Sequence, residues 1–121
     1  MTETIKTNHL PKYGFIGTSR QVSDKVPAEL IERLLQRHIN SDWGDLCEED
    51  KEVNECVVRD EDGGILHSSY HNAFEGKTIW IRTSGYGLKK EDCHFSNFLG
   101  REATFMDYCH TLVLFPEEYY L

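Results

Sequence analysis

Between Asp42 and Asp62, ten acidic residues stand against two bases, Lys51 and Arg59, a net of −8 that equals the formal charge of the whole 121-residue chain. A stretch so charged must keep one face in water, because an ionised carboxylate is costly to bury unpaired. Any core must then come mainly from the segments on either side, with this window adding at most a narrow apolar stripe. At 121 residues and 39% hydrophobic content there is material for one such core, and two would each be too small to be stable. The chain therefore reads as a single domain over residues 1–121.

The flanking segments supply the core in two periodicities. Val26 to His38 repeats Leu30, Ile31, Leu34, Leu35 and His38 on one stripe, which predicts an amphipathic helix with Pro27 at its first position. A second helix is expected from Leu46 to about Val57, opened by a capping box of Asp45 and Glu48. Its inward face would carry Leu46, Val53, Cys56 and Val57, with Glu48, Glu49, Glu52 and Glu55 outward. Strands are expected at Tyr13–Ser19, Ile65–His71, Lys77–Thr83 and Thr111–Phe115, the middle pair joined by a short Gly-containing hairpin loop. Residues 1–12 read as a frayed lead-in and 84–110 as a long insertion before the last strand. The order β-α-α-β-β-β implies an α+β fold, a small antiparallel sheet with two helices packed on one face. The expected core draws on Leu30, Leu34, Val53, Val57, Ile79, Ile81 and Leu112 or Val113.

Three segments carry a resemblance: Ser41-Asp-Trp-Gly-Asp-Leu46 with Glu48-Glu-Asp-Lys51 and Asn54, then Lys77-Thr-Ile-Trp-Ile-Arg-Thr83, then Thr111-Leu-Val-Leu-Phe-Pro-Glu-Glu-Tyr119. In this order, over roughly Gly14 to Tyr119, they resemble a family of short, mostly uncharacterised bacterial proteins of plasmids and other mobile elements. The resemblance implies an accessory, mobile-element setting. It carries no activity and no catalytic residue onto this chain.

Most apparent chemistry has a plainer reading. Cys93-His94 and Cys109-His110 hold enough ligands for zinc, but neighbouring strand residues point to opposite faces, so no metal is expected there. His67 and His71 are about 13 Å apart along a strand, too far to share an ion. Asp42, Asp45, Glu49 and Lys51 have the residue types of a Mg²⁺ nuclease site, yet they fall on a helix in an acidic surround. Asp60-Glu-Asp-Gly63 lacks the later ligands of a calcium loop. No serine sits in a nucleophile elbow, and Gly85-Tyr-Gly87 is not a phosphate loop. Trp43 is expected to plug the helix–sheet junction, with an exposed anchor as the alternative; Trp80 is expected in or half in the core. The four cysteines lack disulfide-framework spacing and read as reduced thiols.

With no basic stripe, direct nucleic-acid binding is disfavoured. No apolar run approaches the roughly 20 residues of a membrane span, and the polar N-terminus lacks a signal-peptide core, so a cytoplasmic location is expected. The resulting expectation is a non-enzymatic accessory protein with no cofactor, which docks on a basic surface of a host nucleic-acid-handling or defence protein through Asp42, Trp43, Asp45, Glu48, Glu49, Glu52 and Glu55. The alternatives are a small enzyme built on His67, His71, Asp92 or His94, a metal-binding insertion at 84–110, and a homo-oligomer formed through a sheet edge.

Overall fold

The computed structural model describes residues 9–88 and 109–120. In chain order they form β1 (His9–Leu10), β2 (Gly14–Thr18), α1 (Arg20–Lys25), α2 (Ala28–Ile39), α3 (Glu48–Asp60), β3 (Leu66–Phe74), β4 (Lys77–Ser84), β5 (His110–Leu114) and a 3-10 turn at Pro116–Tyr120. The fold is α+β. Its five strands make one sheet in the order β1-β2-β5-β4-β3.

The sheet is mixed rather than purely antiparallel. β3 and β4 form a hairpin, and β5 runs antiparallel to β4, but β2 lies parallel to β5, with Phe15 opposite His110 and Thr18 opposite Val113. Three helices separate β2 from the rest of the sheet. The chain crosses over before it re-enters, which is the connection parallel strands require. The expected register on β4 holds: Ile79 and Ile81 are fully buried while Trp80 faces the other way. The β3–β4 loop is Glu75-Gly76, both at positive φ (49° and 76°), the primed turn whose twist matches a two-residue hairpin.

All three helices cover the same face of the sheet. Val22, Val26, Ile31, Leu34 and Leu35 pack on Tyr70, Ile79, Ile81, Val113 and Phe115. A second cluster, Tyr13, Trp43, Leu66 and Tyr86, receives Leu46, Val57 and Val58. One expected core member is absent, Val53, which is 59% exposed; of the alternatives Leu112 and Val113 the core takes Val113, and Leu112, on the helix-free face, is 36% exposed. Pro27 is the N-cap of α2 rather than its first residue.

The short helix α1 had no periodic signal, since Val22 is its one buried residue. Polar contacts hold it. Ser19 caps it by accepting from the Val22 amide at 3.2 Å. The Glu118 carboxylate in turn accepts from the Ser19 hydroxyl (2.5 Å), the Gln21 amide (3.3 Å) and the Phe115 amide (2.9 Å). These bonds tie the C-terminal turn to the end of β2. They also hold the Glu118 carboxyl below its ordinary range, against the opposing effect of burial.

A polar thread runs through the centre. His38 is fully buried, with Nδ1 2.6 Å from Ser68 Oγ and Nε2 2.9 Å from Thr83 Oγ1. Thr83 Oγ1 lies 2.8 Å from Thr111 Oγ1, and Thr111 donates to the Tyr13 carbonyl at 2.8 Å. That carbonyl only accepts, so it sets the direction of the chain. Thr111 spends its one proton on Tyr13, Thr83 donates to Thr111, and His38 donates through Nε2 to Thr83. Nδ1 is then left to accept from Ser68, and His38 is neutral. Every member of the thread is satisfied, the condition under which a buried polar network specifies a core rather than weakening it.

Burial, with His67 second, pushes the His38 pKa down to about 3 from 6.5. Between those values the unfolded chain binds a proton that the folded chain does not. Acid therefore favours unfolding, and stability falls as pH drops from about 6.5 toward 3, at a limiting slope of about 1.4 kcal/mol per pH unit. Urea unfolding at pH 7 and pH 5 should show this loss, and the His38 imidazole should remain neutral by NMR in the folded protein at pH 5. Equal stability at the two pH values, or a protonated His38 in the native state, would show that the thread runs otherwise.

Candidate functional site

β3 lies at the edge of the sheet, and an edge leaves a row of unpaired backbone groups that invites other strands. Here the acidic window seals it. Asn54, on α3, is buried and bonds both backbone groups of His67, accepting from its amide at 3.2 Å and donating to its carbonyl at 2.7 Å. The turn before α3 continues the seal as a one-residue parallel bridge between Gly44 and Ser69. Ser69 donates to the Trp43 carbonyl (3.2 Å), and the Asp45 amide donates to the Ser69 carbonyl (2.7 Å). The Asp45 carboxylate then accepts from the His71 amide at 2.8 Å. Gly44 sits at φ 76°, where a Cβ would run into the Ser69 carbonyl oxygen; only glycine permits so close an approach.

The residues expected to bind a partner divide accordingly. Trp43 is 3% exposed, so its ring belongs to the core and is not a surface anchor. Its indole donates to Glu55 Oε2 at 2.8 Å, and its ring meets the edge of His38 at 5.8 Å. Asp42 takes a two-point bond from Arg37 (2.7 and 3.3 Å) and a third from the Gly44 amide (3.2 Å). The Arg37 bond is the main reason its carboxyl lies below the usual range, with burial acting against it. Its backbone carbonyl accepts from the Tyr70 hydroxyl at 2.8 Å. Asp45, expected to cap α3, is occupied at His71 instead, and the N-cap is Cys47 with no side-chain bond.

Three of the seven remain as an outward set. Glu48, Glu49 and Glu52 are exposed on α3, and the one contact among them is a 3.5 Å pair from Lys51 to Glu48 across one turn. Glu48, Glu49 and Asp50 also sit in the first turn, where negative charge suits the helix dipole. The inward side of α3 is Asn54, Val57 and Val58, while Val53 and Cys56 face water. The expected inward placement of Val53 and Cys56 is thus corrected. Asn54 has to meet the β3 edge, and that rotates the helix.

One Ser–His pair is enclosed by the core. The Ser68–His38 contact has the spacing of a nucleophile and base, but both residues are fully buried and no substrate reaches them. On β3, His67 is half buried, with Nδ1 accepting from Arg82 Nη1 at 3.0 Å, and His71 is exposed. Burial first, then the Arg82 charge, pushes the His67 pKa down to about 4. Cys109 is buried and His110 follows it on the strand, so the two do not share a side of the sheet. Asp92, Cys93 and His94 lie outside the described residues. Among the described residues no group of three His, Cys, Asp or Glu is placed to hold a metal, and no helix is long and apolar enough to cross a membrane.

One cluster had no signature. On the helix-free face, Arg82 lies 4.9 Å over the Tyr119 ring, and Trp80 meets both Tyr119 (6.0 Å) and His67 (4.7 Å) edge-on. The alternation around Ile79 and Ile81 places Trp80 and Arg82 on this face. The arrival of Tyr119 depends on the turn after Pro116, which no periodicity encodes.

The edge seal has a direct test. Asn54→Ala strands both His67 backbone groups and should cost about 2–4 kcal/mol in urea unfolding, whereas Glu52→Gln on the same helix should change stability by about 0.5 kcal/mol or less. Equal effects would mean that Asn54 does not carry the edge.

Comparison with protein-family models, with curated proteins and with solved structures finds no match for this chain.

Proposed function

We propose that this is a small, non-enzymatic acidic binding protein that docks the outer face of α3 on a basic surface of another protein. The observation behind the reading is the division of labour within the acidic window. Asp42, Asp45, Glu55 and Asn54 hold the turn and α3 against the sheet, while Glu48, Glu49 and Glu52 are exposed on the helix so held. Residues three and four apart on a helix stand about 5–6 Å from one another, so these carboxylates form a short acidic ridge. An acidic ridge on a rigid support steers a cationic partner and repels nucleic acid. The resemblance to plasmid and mobile-element proteins adds a setting: an accessory factor in the bacterial cytoplasm, with a host nucleic-acid-handling or defence protein as its target. In that setting the carboxylates stand in for backbone phosphates.

The variant that isolates the ridge is Glu48→Gln, Glu49→Gln and Glu52→Gln together, with Glu55 left in place because it holds Trp43. Each change should move stability by about 0.5 kcal/mol or less. A partner captured from bacterial lysate at low salt should be released at high salt. The triple variant should slow its association by about tenfold and flatten the salt dependence, since exposed interfacial charges act mainly on the encounter rate. A partner that binds the triple variant as fast as wild type would reduce the ridge to an aid to solubility.

A further inference from the structure

The helices cover one face of the sheet; across the other runs a band of exposed rings and aliphatic groups. Phe15 on β2 is 38% exposed, Leu112 on β5 is 36% exposed, and Tyr119 is 48% exposed beside Trp80. Arg82 stands in the middle of this band, its guanidinium stacked on Tyr119 and spending one N–H on His67. Among the described residues no carboxylate pairs with it, and unlike Arg20, Lys25, Arg33 and Lys77, which also have no carboxylate partner but are exposed, Arg82 is half-buried against rings. The neighbouring His67 uses Nδ1 to accept from Arg82, so it adds no second cation in its neutral form.

We infer that the helix-free face of the sheet, centred on Arg82, is a second docking site, for a protein segment that presents a single carboxylate between apolar or aromatic side chains. Charge and geometry fix the class. A stacked guanidinium keeps a pre-oriented fork of donors that matches a carboxylate in two-point contact, and the surrounding rings offer area to apolar neighbours. Nucleic acid fits poorly, because its affinity comes from neutralising many phosphates, and among the described residues the cation at the centre of this face is Arg82, on a molecule of net charge −8. A second copy stacked sheet to sheet is also a poor occupant, since symmetric packing about the centre of this face would bring one Arg82 toward the other. The site is independent of the α3 ridge.

The chain's two tryptophans provide the readout. Trp80 borders Arg82 on this face, whereas Trp43 is buried behind α3. The full chain, labelled with ¹⁵N, is titrated with a soluble peptide in which one Glu is flanked on each side by Leu and Phe, and in parallel with its Gln counterpart. The Glu peptide should shift the Trp80 indole signal and leave the Trp43 signal in place, and the Gln peptide should bind at least tenfold more weakly. Arg82→Gln should abolish that preference, with an unmoved Trp43 signal reporting an intact fold, and Arg82→Lys should restore it only in part. The Glu48, Glu49 and Glu52 triple variant should bind the peptide as wild type does, so failure here and failure of the α3 reading are told apart. Equal binding of the two peptides, an unchanged preference in Arg82→Gln, displacement of the peptide by oligo-dT, or a concentration-dependent dimer that buries Trp80 would each overturn the assignment.

Discussion

The outer edge of β3 is the constraint on which the rest of the structure depends. Its backbone groups at His67, Ser69 and His71 have no strand beyond them, and the segment from Trp43 to Asn54 supplies what a sixth strand would have supplied. Polar groups at a half-buried edge are expensive to leave unpaired, so this requirement outranks the ordinary preferences of a helix. Asp45 gives up the cap of α3, and Asn54 takes the most buried position on a helix whose Val53 is left in water. The direction in which the acidic ridge points is a consequence of that seal.

His38 plays the corresponding role inside the core. A leucine on that stripe of α2 would pack, but Ser68 would lose its imidazole partner and Thr83 its incoming donor, while the Thr83–Thr111–Tyr13 bonds would remain. One imidazole accepts from Ser68 and donates to Thr83, and Thr83 passes the bond to Thr111. The thread thus pins α2 to β3, β4 and β5 in one register, because a slip by one residue would turn all three hydroxyls to the other face. Its neutral state makes it acid-sensitive, and the same burial removes any chemistry that a Ser–His pair would otherwise offer.

Much of this was legible in the residues. The stripe from Leu30 to His38 and the alternation around Ile79 and Ile81 are strong periodic signals, and the helix, the hairpin and the register of β4 follow from them. The parallel pairing of β2 with β5 was not legible, because periodicity gives the face of a strand and says nothing about its neighbour. α1 was missed because its support is the Glu118 carboxylate, 99 residues from Ser19 in the chain. The candidate ridge was half legible. Charge density located it, but charge alone does not distinguish Glu48, which faces water, from Glu55, which holds an indole. That distinction needs Trp43 in place, and Trp43 needs the edge of β3.

The same logic gives a place to the three segments Ser41–Asn54, Lys77–Thr83 and Thr111–Tyr119. Asp42-Trp-Gly-Asp45 and Asn54 close the sheet at β3, Trp80 and Arg82 carry the helix-free face of β4, and Pro116-Glu-Glu-Tyr119 brings one carboxylate to Ser19 and one ring to Arg82. The first and third segments cap backbone groups of the sheet and its adjoining turns and each adds an aromatic ring, while Trp80 and Arg82 stand on an interior strand and bind side chain to side chain. Their shared task is to finish a sheet too small to bury both of its faces. Glu48, Glu49 and Glu52 have no place in that task, since removing them would leave every margin closed. That concentration of charge, beyond what the helix dipole favours and on a helix the fold holds in place, is what the proposed docking on a basic partner rests on.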